Sequence, residues 1–259
     1  MIAYLRLFTK RHASSVSLDE LKGVFITGTD TEIGKTSVAC GLAWLLRKNK
    51  IKVGIMKPLA TSSKTYSRNY KSQDTAILAK AANIKEPDYI LNPVFLPIPA
   101  SPLMAAEILN TTVDLKIVTK KFNFLKKKYD FTLVEGIGGI MVPITTRFSL
   151  LDLIRKMGLP IIIVSSPKLG SINHTILTIN TCKETKIPII GVIFNQMPKH
   201  PDIVESLTPK YIERLTEVKT ISIIPFMDKC NFKKIGSYLG RNQIIKNLIS
   251  GLTDKQCMD

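Results

Sequence analysis

Short, continuously apolar stretches recur along this chain. Between them run segments whose apolar residues return every three or four positions. The apolar stretches at 23–27, 52–56, 131–135, 160–165, 189–195 and 220–224 read as strands. They do not alternate, as strands covered on both faces should not. The helical periodicity covers 35–48, 73–82, 102–109, 114–128, 149–157, 171–185 and 235–249. Alternation of the two kinds predicts a three-layer α/β fold: a mostly parallel central sheet, right-handed crossovers and flanking helices. Without repeats or a low-complexity linker, the expectation is one domain over 23–259 behind an extension at 1–22.

Ligands of such sheets sit beyond the carboxyl ends of the strands. The residues at those ends are 28–36, Lys57-Pro58, Glu135-Gly136, 165–170, Asn195 and Pro225. All should line one edge. Five of these six places are polar or glycine-rich; the sixth opens Pro225-Phe226-Met227.

The first of them carries the sharpest signal. The strand at 23–27 drops into Gly28-Thr29-Asp30-Thr31-Glu32-Ile33-Gly34-Lys35-Thr36, and a helix follows at once. Strand, glycine-rich loop and helix is the layout that cradles phosphate, so the fold is expected to be of the P-loop NTPase kind. The usual spacing is G-x-x-x-x-G-K-[ST]; here five residues separate Gly28 from Gly34. Backbone N–H groups around Gly34, Lys35 and Thr36 would face phosphate oxygens. Lys35 would neutralise the β/γ-phosphates, and the Thr36 hydroxyl would bind Mg²⁺.

Three further residues gain meaning beside that loop. Glu135, at a hydrophobic strand's end, stands where a second Mg²⁺ ligand is needed; alone it reads as a loop charge. The glycines Gly136, Gly138 and Gly139 permit close backbone approach. Asp74 falls in the first turn of a helix capped by Ser72, where its plain reading is a charge that suits the helix dipole. Lys57 precedes Pro58, which favours an extended turn and could aim the ammonium into the site; alone it reads as a surface lysine.

Charge and cysteines narrow the rest. With Lys+Arg 37 against Asp+Glu 20, the formal charge is +17. Nucleic acid, an anionic membrane or anionic substrates would suit such a charge. The lysines instead read as solvated faces, as in the amphipathic segment holding Lys120-Lys121 and Lys126-Lys127-Lys128. No known nucleic-acid motif accompanies them, so neither nucleic acid nor membrane is expected as a partner. No apolar run reaches the roughly 18–20 residues of a membrane span. Cys40, Cys182, Cys230 and Cys257 lie far apart without a CxxC pair, which argues against a metal cluster or disulfide framework and suits a reducing compartment. Segment 1–22 has Arg6, Lys10, Arg11 and three serines, with no acid before Asp19. That composition fits an organellar presequence, but a short extension or upstream start is preferred, with the cytoplasm as location.

Together the motifs resemble the dethiobiotin synthetase family. They are the loop 28–36, Lys57-Pro58-Leu59-Ala60-Thr61, Asp74, Ala100-Ser101-Pro102, Glu135-Gly136-Ile137-Gly138-Gly139, Lys168-Leu169-Gly170-Ser171-Ile172-Asn173-His174 and Asn195. They occur in that family's order from about Gly23 to Pro225, and the longer loop with Thr-Glu inside it is the family's own variant. Partitioning and cell-division ATPases share the core. They resemble one another in a lysine early in the loop, where this chain reads Thr27-Gly28-Thr29-Asp30-Thr31-Glu32. Amidating synthetases of cobalamin-type metabolism append an amidotransferase domain whose Cys–His–Glu set is not apparent here.

The resemblance implies an ATP-dependent cyclo-ligase of biotin biosynthesis. It would use Mg²⁺, ATP and CO₂ to carboxylate 7,8-diaminononanoate and close the ureido ring of dethiobiotin, releasing ADP and phosphate. It implies Lys57, Lys35 and Thr31 as catalytic. Thr31, Glu32, Ile33, Gly34, Lys35, Thr36, Asp74, Glu135, Asn195 and Pro225 would hold ATP. Thr31, Lys57, Thr61, Ser101, Gly138 and Asn173 would hold the diamine, with Asn173 given by the second subunit of a homodimer. Thr36, Asp74 and Glu135 would hold the metal. The family's acid after the Pro225 strand is poorly matched by Asp228-Lys229-Cys230, and beyond about residue 230 the resemblance stops.

Overall fold

The computed structural model describes residues 21–256. Most of the extension read at 1–22 lies outside them. Six parallel strands form the main sheet in the order β10-β9-β8-β1-β5-β2. They are β1 (Gly23–Gly28), β2 (Val53–Met56), β5 (Phe131–Gly139), β8 (Ile161–Ser165), β9 (Ile189–Met197) and β10 (Thr220–Pro225). Every residue of β1, β2 and β8 is buried, as their unbroken apolar sequences require. The principal core runs from Val24 to Leu252. Two small pairs lie outside the main sheet: parallel β3 (Leu59–Thr61) with β4 (Val94–Leu96), and antiparallel β6 (Pro143–Thr145) with β7 (Phe148–Ser149).

The helices are α1 (Lys35–Lys48), α2 (Gln73–Ala82), α3 (Asp88–Leu91), α4 (Pro102–Ile108), α5 (Leu115–Lys128), α6 (Leu150–Met157), α7 (Ser171–Glu184), α8 (Ile203–Thr216), α9 (Phe232–Leu239) and α10 (Gln243–Gln256). Among the described residues no helix is long and apolar enough to cross a membrane. Two expectations need correction. The helical pattern read as one piece over 235–249 is two helices. Gly240 ends α9, and Asn242 starts α10 by accepting the Ile244 N–H on its side chain at 2.8 Å. Helix α8 was not expected, because Pro209 breaks its pattern. A capping box between Asp202 and Glu205 nucleates it, and the chain tolerates the one N–H that Pro209 lacks.

Helix α1 leaves the phosphate-type loop and packs against α2 and α9. The contact with α9 is tight because two glycines meet there. A Cβ at Gly236 would stand 2.5 Å from the Trp44 ring and 2.8 Å from the Gly41 carbonyl oxygen. The oxygen belongs to backbone and cannot swing away. Gly236→Ala is therefore expected to cost about 1–3 kcal/mol through overpacking, read as a lower urea midpoint at unchanged m-value.

Candidate active site

The parallel register delivers the site. Met56 pairs with Val134, so Lys57 leaves β2 level with Glu135 of β5, and Ile26 of β1 pairs with Glu135 from the other side. Three adjacent strand ends thus bring the loop, the lysine and the acid to one edge. The backbone of Lys57 is fixed there: its N–H donates to the Leu91 carbonyl at 2.7 Å, and its carbonyl accepts from Asn92 Nδ2 at 2.7 Å.

Lys57 is buried and joins the two acids. Its Nζ stands 2.6 Å from Glu135 Oε1 and 3.0 Å from Asp74 Oδ2, and it donates to the Gly136 carbonyl at 3.1 Å. The Thr36 hydroxyl donates to the same Glu135 Oε1 at 2.8 Å. Asp74 arrives from the first turn of α2, whose N-cap is Ser72, as expected. Its side chain is 42% exposed, against 1% for Glu135, so the acids feel different surroundings. Burial raises the Glu135 carboxyl above its ordinary range; Lys57 pulls it down, and the Asp74 charge adds to the rise. For Asp74, burial is outweighed by Lys57 and by hydrogen bonds from Lys57 and Thr36, so it stays below its ordinary range. Burial alone would discharge Lys57, but the two carboxylates more than offset it and hold the ammonium charged.

Gly34 enters α1 at φ +85°, and a Cβ on it would fall 2.0 Å from Asn195 Nδ2. Glycine serves both the backbone angle and the approach of Asn195. Asn195 Nδ2 donates to the Ile33 carbonyl at 2.9 Å, and Gln196 Nε2 donates to the Glu32 carbonyl at 2.9 Å. The end of β9 thereby props the loop that starts after β1. Lys35 folds back over it, donating to the Asp30 carbonyl at 2.6 Å. Burial, and next the charge of Lys57, lower its pKa to about 8.

These groups line a cavity of about 570 Å³. Of the residues expected from sequence, Thr31, Glu32, Gly34, Lys35, Thr36, Lys57, Thr61, Asp74, Glu135 and Gly138 are on its wall. Gly34 is shared with a second cavity of about 70 Å³, lined by Asn195, Pro225, Met227 and Cys230 among others. Ile33 is buried beneath the loop and takes part through its carbonyl. Ser101 and Asn173 are on neither wall. Ser101 caps α4, accepting the Met104 N–H at 3.4 Å, and Asn173 is exposed in the first turn of α7. Sequence reasoning missed Ser37, Ala60, Ile137 and Gln196. Ser37 and Gln196 directly follow Thr36 and Asn195, a signal that was available. Ala60 and Ile137 stand inside the stretches 57–61 and 135–139 that carry the resemblance, but their apolar side chains suggested no role.

The arrangement can bind a nucleotide's phosphates on the loop and gather cationic charge beside them. Residues 22–234 match the family model described as an AAA domain. The ATP-dependent dethiobiotin synthetase of Nitrosopumilus maritimus is 39% identical over 229 residues, spanning 88% of this chain and all of that relative. The chain belongs to the dethiobiotin synthetase family. A second dethiobiotin synthetase, from Bacillus subtilis, is 35% identical over 79% of this chain and 87% of its own length. Two solved structures with a similar fold lie further off in sequence. A ParA family ATPase from Chlorobium tepidum superposes with TM-score 0.54 at 16% identity, covering 91% of this chain and 98% of that one. The MinC:MinD cell division complex from Aquifex aeolicus gives 0.51 at 15%, covering 91% and 96%. At that identity the likeness shows the fold alone, the P-loop type of α/β core.

Proposed function

We propose that this protein is an ATP-dependent dethiobiotin synthase. It carboxylates 7,8-diaminononanoate with CO₂ and closes the ureido ring, releasing ADP and phosphate, as a step of biotin biosynthesis. The observation that carries this reading is the junction of the phosphate-type loop with Lys57, Asp74 and Glu135 on one cavity wall. One substrate amine captures CO₂ as a carbamate. A carbamate oxygen attacks the γ-phosphorus and ADP leaves. The second amine attacks the carbonyl carbon of the mixed anhydride, and phosphate leaves as the ring closes. Negative charge gathers where carbamate meets phosphate. Lys35 and Lys57 are the buried cations at that place, so their preorganised charge favours the transition state. Thr31 and Thr61 line the same cavity with hydroxyls for the diamine, and Gly138 lets the backbone come close.

Thr36, Asp74 and Glu135 would hold Mg²⁺. They fit it: all three are hard oxygen donors, and Glu135 Oε2 is buried without a hydrogen-bond partner. The ion supplies charge that offsets the phosphates. Asn195 and the backbone at Pro225 would meet the adenine, since both line the smaller cavity.

A homodimer would complete the substrate site. Asn173 is exposed, on an element that also leaves Leu177 uncovered, and Leu169 just before it is 90% exposed. A second copy would cover that face and take Asn173 to its own diamine carboxylate, with Ser101 at the start of α4 sharing the task. A reducing compartment suits the unpaired cysteines, and we take the cytoplasm as the place of action.

The test is phosphate release by purified protein with ATP, Mg²⁺ and bicarbonate, with and without 7,8-diaminononanoate. Release requiring both diamine and bicarbonate is expected. Release indifferent to the diamine would overturn the reading in favour of a switch ATPase.

A further inference from the structure

Two of the four cysteines are brought to one place by the packing of α1 against α9. Ser37, Cys40, Gly41 and Trp44 follow one another at helical spacing, so they share a face of α1. That face meets α9, where Gly41 lies against Ile235 and Gly236. Cys230 stands immediately before Asn231, the N-cap of α9, and is exposed, whereas Cys40 is fully buried. Ser37 and Cys230 line the same small cavity, together with Gly34 of the phosphate loop. Cys40, one turn beyond Ser37, acts on Cys230 as a hydrogen-bond donor, and so does Ser37.

We propose that Cys230 and Cys40 are an oxidisable pair at the edge of the smaller cavity: Cys230 the nucleophile toward hydroperoxides, Cys40 the resolving thiol, and their disulfide a tie that holds the segment after β10 down on α1.

The surroundings suit the division of labour. The hydrogen bond from Cys40 and then that from Ser37 bring the Cys230 pKa down to about 6 against the opposing effect of burial. The same contact, and then burial, push Cys40 well up, so it keeps the proton. Reactivity follows thiolate character and access, and Cys230 has both. Cys182 is the contrast, a buried thiol raised to about 12 by burial.

The steps balance. The Cys230 thiolate attacks the outer oxygen of a hydroperoxide. An S–O bond forms, the O–O bond breaks, and the alkoxide or hydroxide leaves with a proton from water. Sulfur is oxidised by two electrons to the sulfenic acid. The Cys40 sulfur then attacks it. An S–S bond forms, the S–O bond breaks, and hydroxide takes the Cys40 proton and leaves as water. A dithiol reverses the result.

The tie would narrow the cavity that we read as the adenine pocket, and this consequence rests on that reading; the thiol chemistry does not. The reduced full-length protein is treated with stoichiometric hydrogen peroxide, alkylated, digested without reductant and mapped. Expected is one new species that joins the peptides of Cys40 and Cys230, lighter by two hydrogens. In Cys40→Ser, Cys230 should accumulate as a sulfenic acid captured by a 1,3-dione reagent. Cys40 still open to alkylation after peroxide on unfolding, or Cys230 joined instead to Cys182, Cys257 or a second chain, overturns the pair. Steady-state turnover of the mapped, oxidised protein should show the KM for ATP raised several-fold and restored by dithiothreitol. An unchanged KM overturns the narrowing while the peptide map stands.

Discussion

Lys57→Ala is expected to cost about 3–5 kcal/mol of stability and to lower diamine-dependent phosphate release about 10²–10³-fold. Both effects have one cause. Lys57 is the counter-charge of Asp74 and of the fully buried Glu135, at 3.0 and 2.6 Å. Without it, burial and the Asp74 charge are left to raise Glu135 further, with only the Thr36 hydrogen bond and the more distant Lys35 opposing them. The acid then takes up a proton or the fold pays the desolvation. Nucleotide binding should change little, because the proposed phosphate contacts come from the loop and from Lys35, which lie outside β2. Urea unfolding gives the first number. Phosphate release corrected for the folded fraction gives the second, and calorimetric ADP titration the third. Turnover that matches the parent after this correction would remove Lys57 from the chemistry and leave it a structural ion pair. A large loss of ADP affinity with the chemistry intact would make it a phosphate ligand instead.

How much of this was legible in the sequence differs by residue. The loop at 28–36 could be read outright, because glycine spacing, strand and helix are all local. Glu135 and Asp74 could be proposed from strand end and helix start, but not their meeting. That meeting depends on β5 entering the sheet between β1 and β2, a choice of strand order that no local pattern carries. Lys57 has the same history. Its plain reading as a surface lysine fails because Leu91 and Asn92, far along the chain, pin its backbone inward. The propping of the phosphate loop by Asn195 and Gln196 spans about 160 residues and was likewise invisible. Helix α8 was lost to a single proline. The charge of +17 finds a partial, bland account. Arg47 and Lys48 close α1, Lys126, Lys127 and Lys128 close α5, and Lys183 closes α7. Cations in last turns complement the helix dipole, which places part of the excess where it asks for no nucleic acid.

Lys35 gives the second large effect, and it carries a pH signature that Lys57 lacks. Lys35→Met is expected to lower kcat/KM for ATP about 10²–10³-fold, because the cation proposed to face the phosphates is gone. Burial, then the charge of Lys57, hold the Lys35 pKa at about 8, against 10.5 for a free lysine. Two opposite consequences follow. The unfolded chain binds the Lys35 proton more tightly, so between about pH 8 and 10.5 the Lys35 contribution to stability rises with pH. Phosphate, by contrast, favours the charged form, so nucleotide affinity falls as pH climbs through 8. The nucleotide's own phosphates are ionised well below that pH and add no slope there. Titrations of ADP without added metal at pH 7 and pH 9 should show affinity falling by up to about tenfold per pH unit above 8. They should also show proton uptake on binding at the higher pH, seen as a dependence of the heat on the buffer's ionisation enthalpy. Lys35→Met should bind weakly at both pH values and take up no proton. If the parent's affinity is flat across this range, the ammonium is not discharged in the free protein. The burial that lowers it would then be relieved by water at the loop. A slope that survives in Lys35→Met would assign the proton to another group.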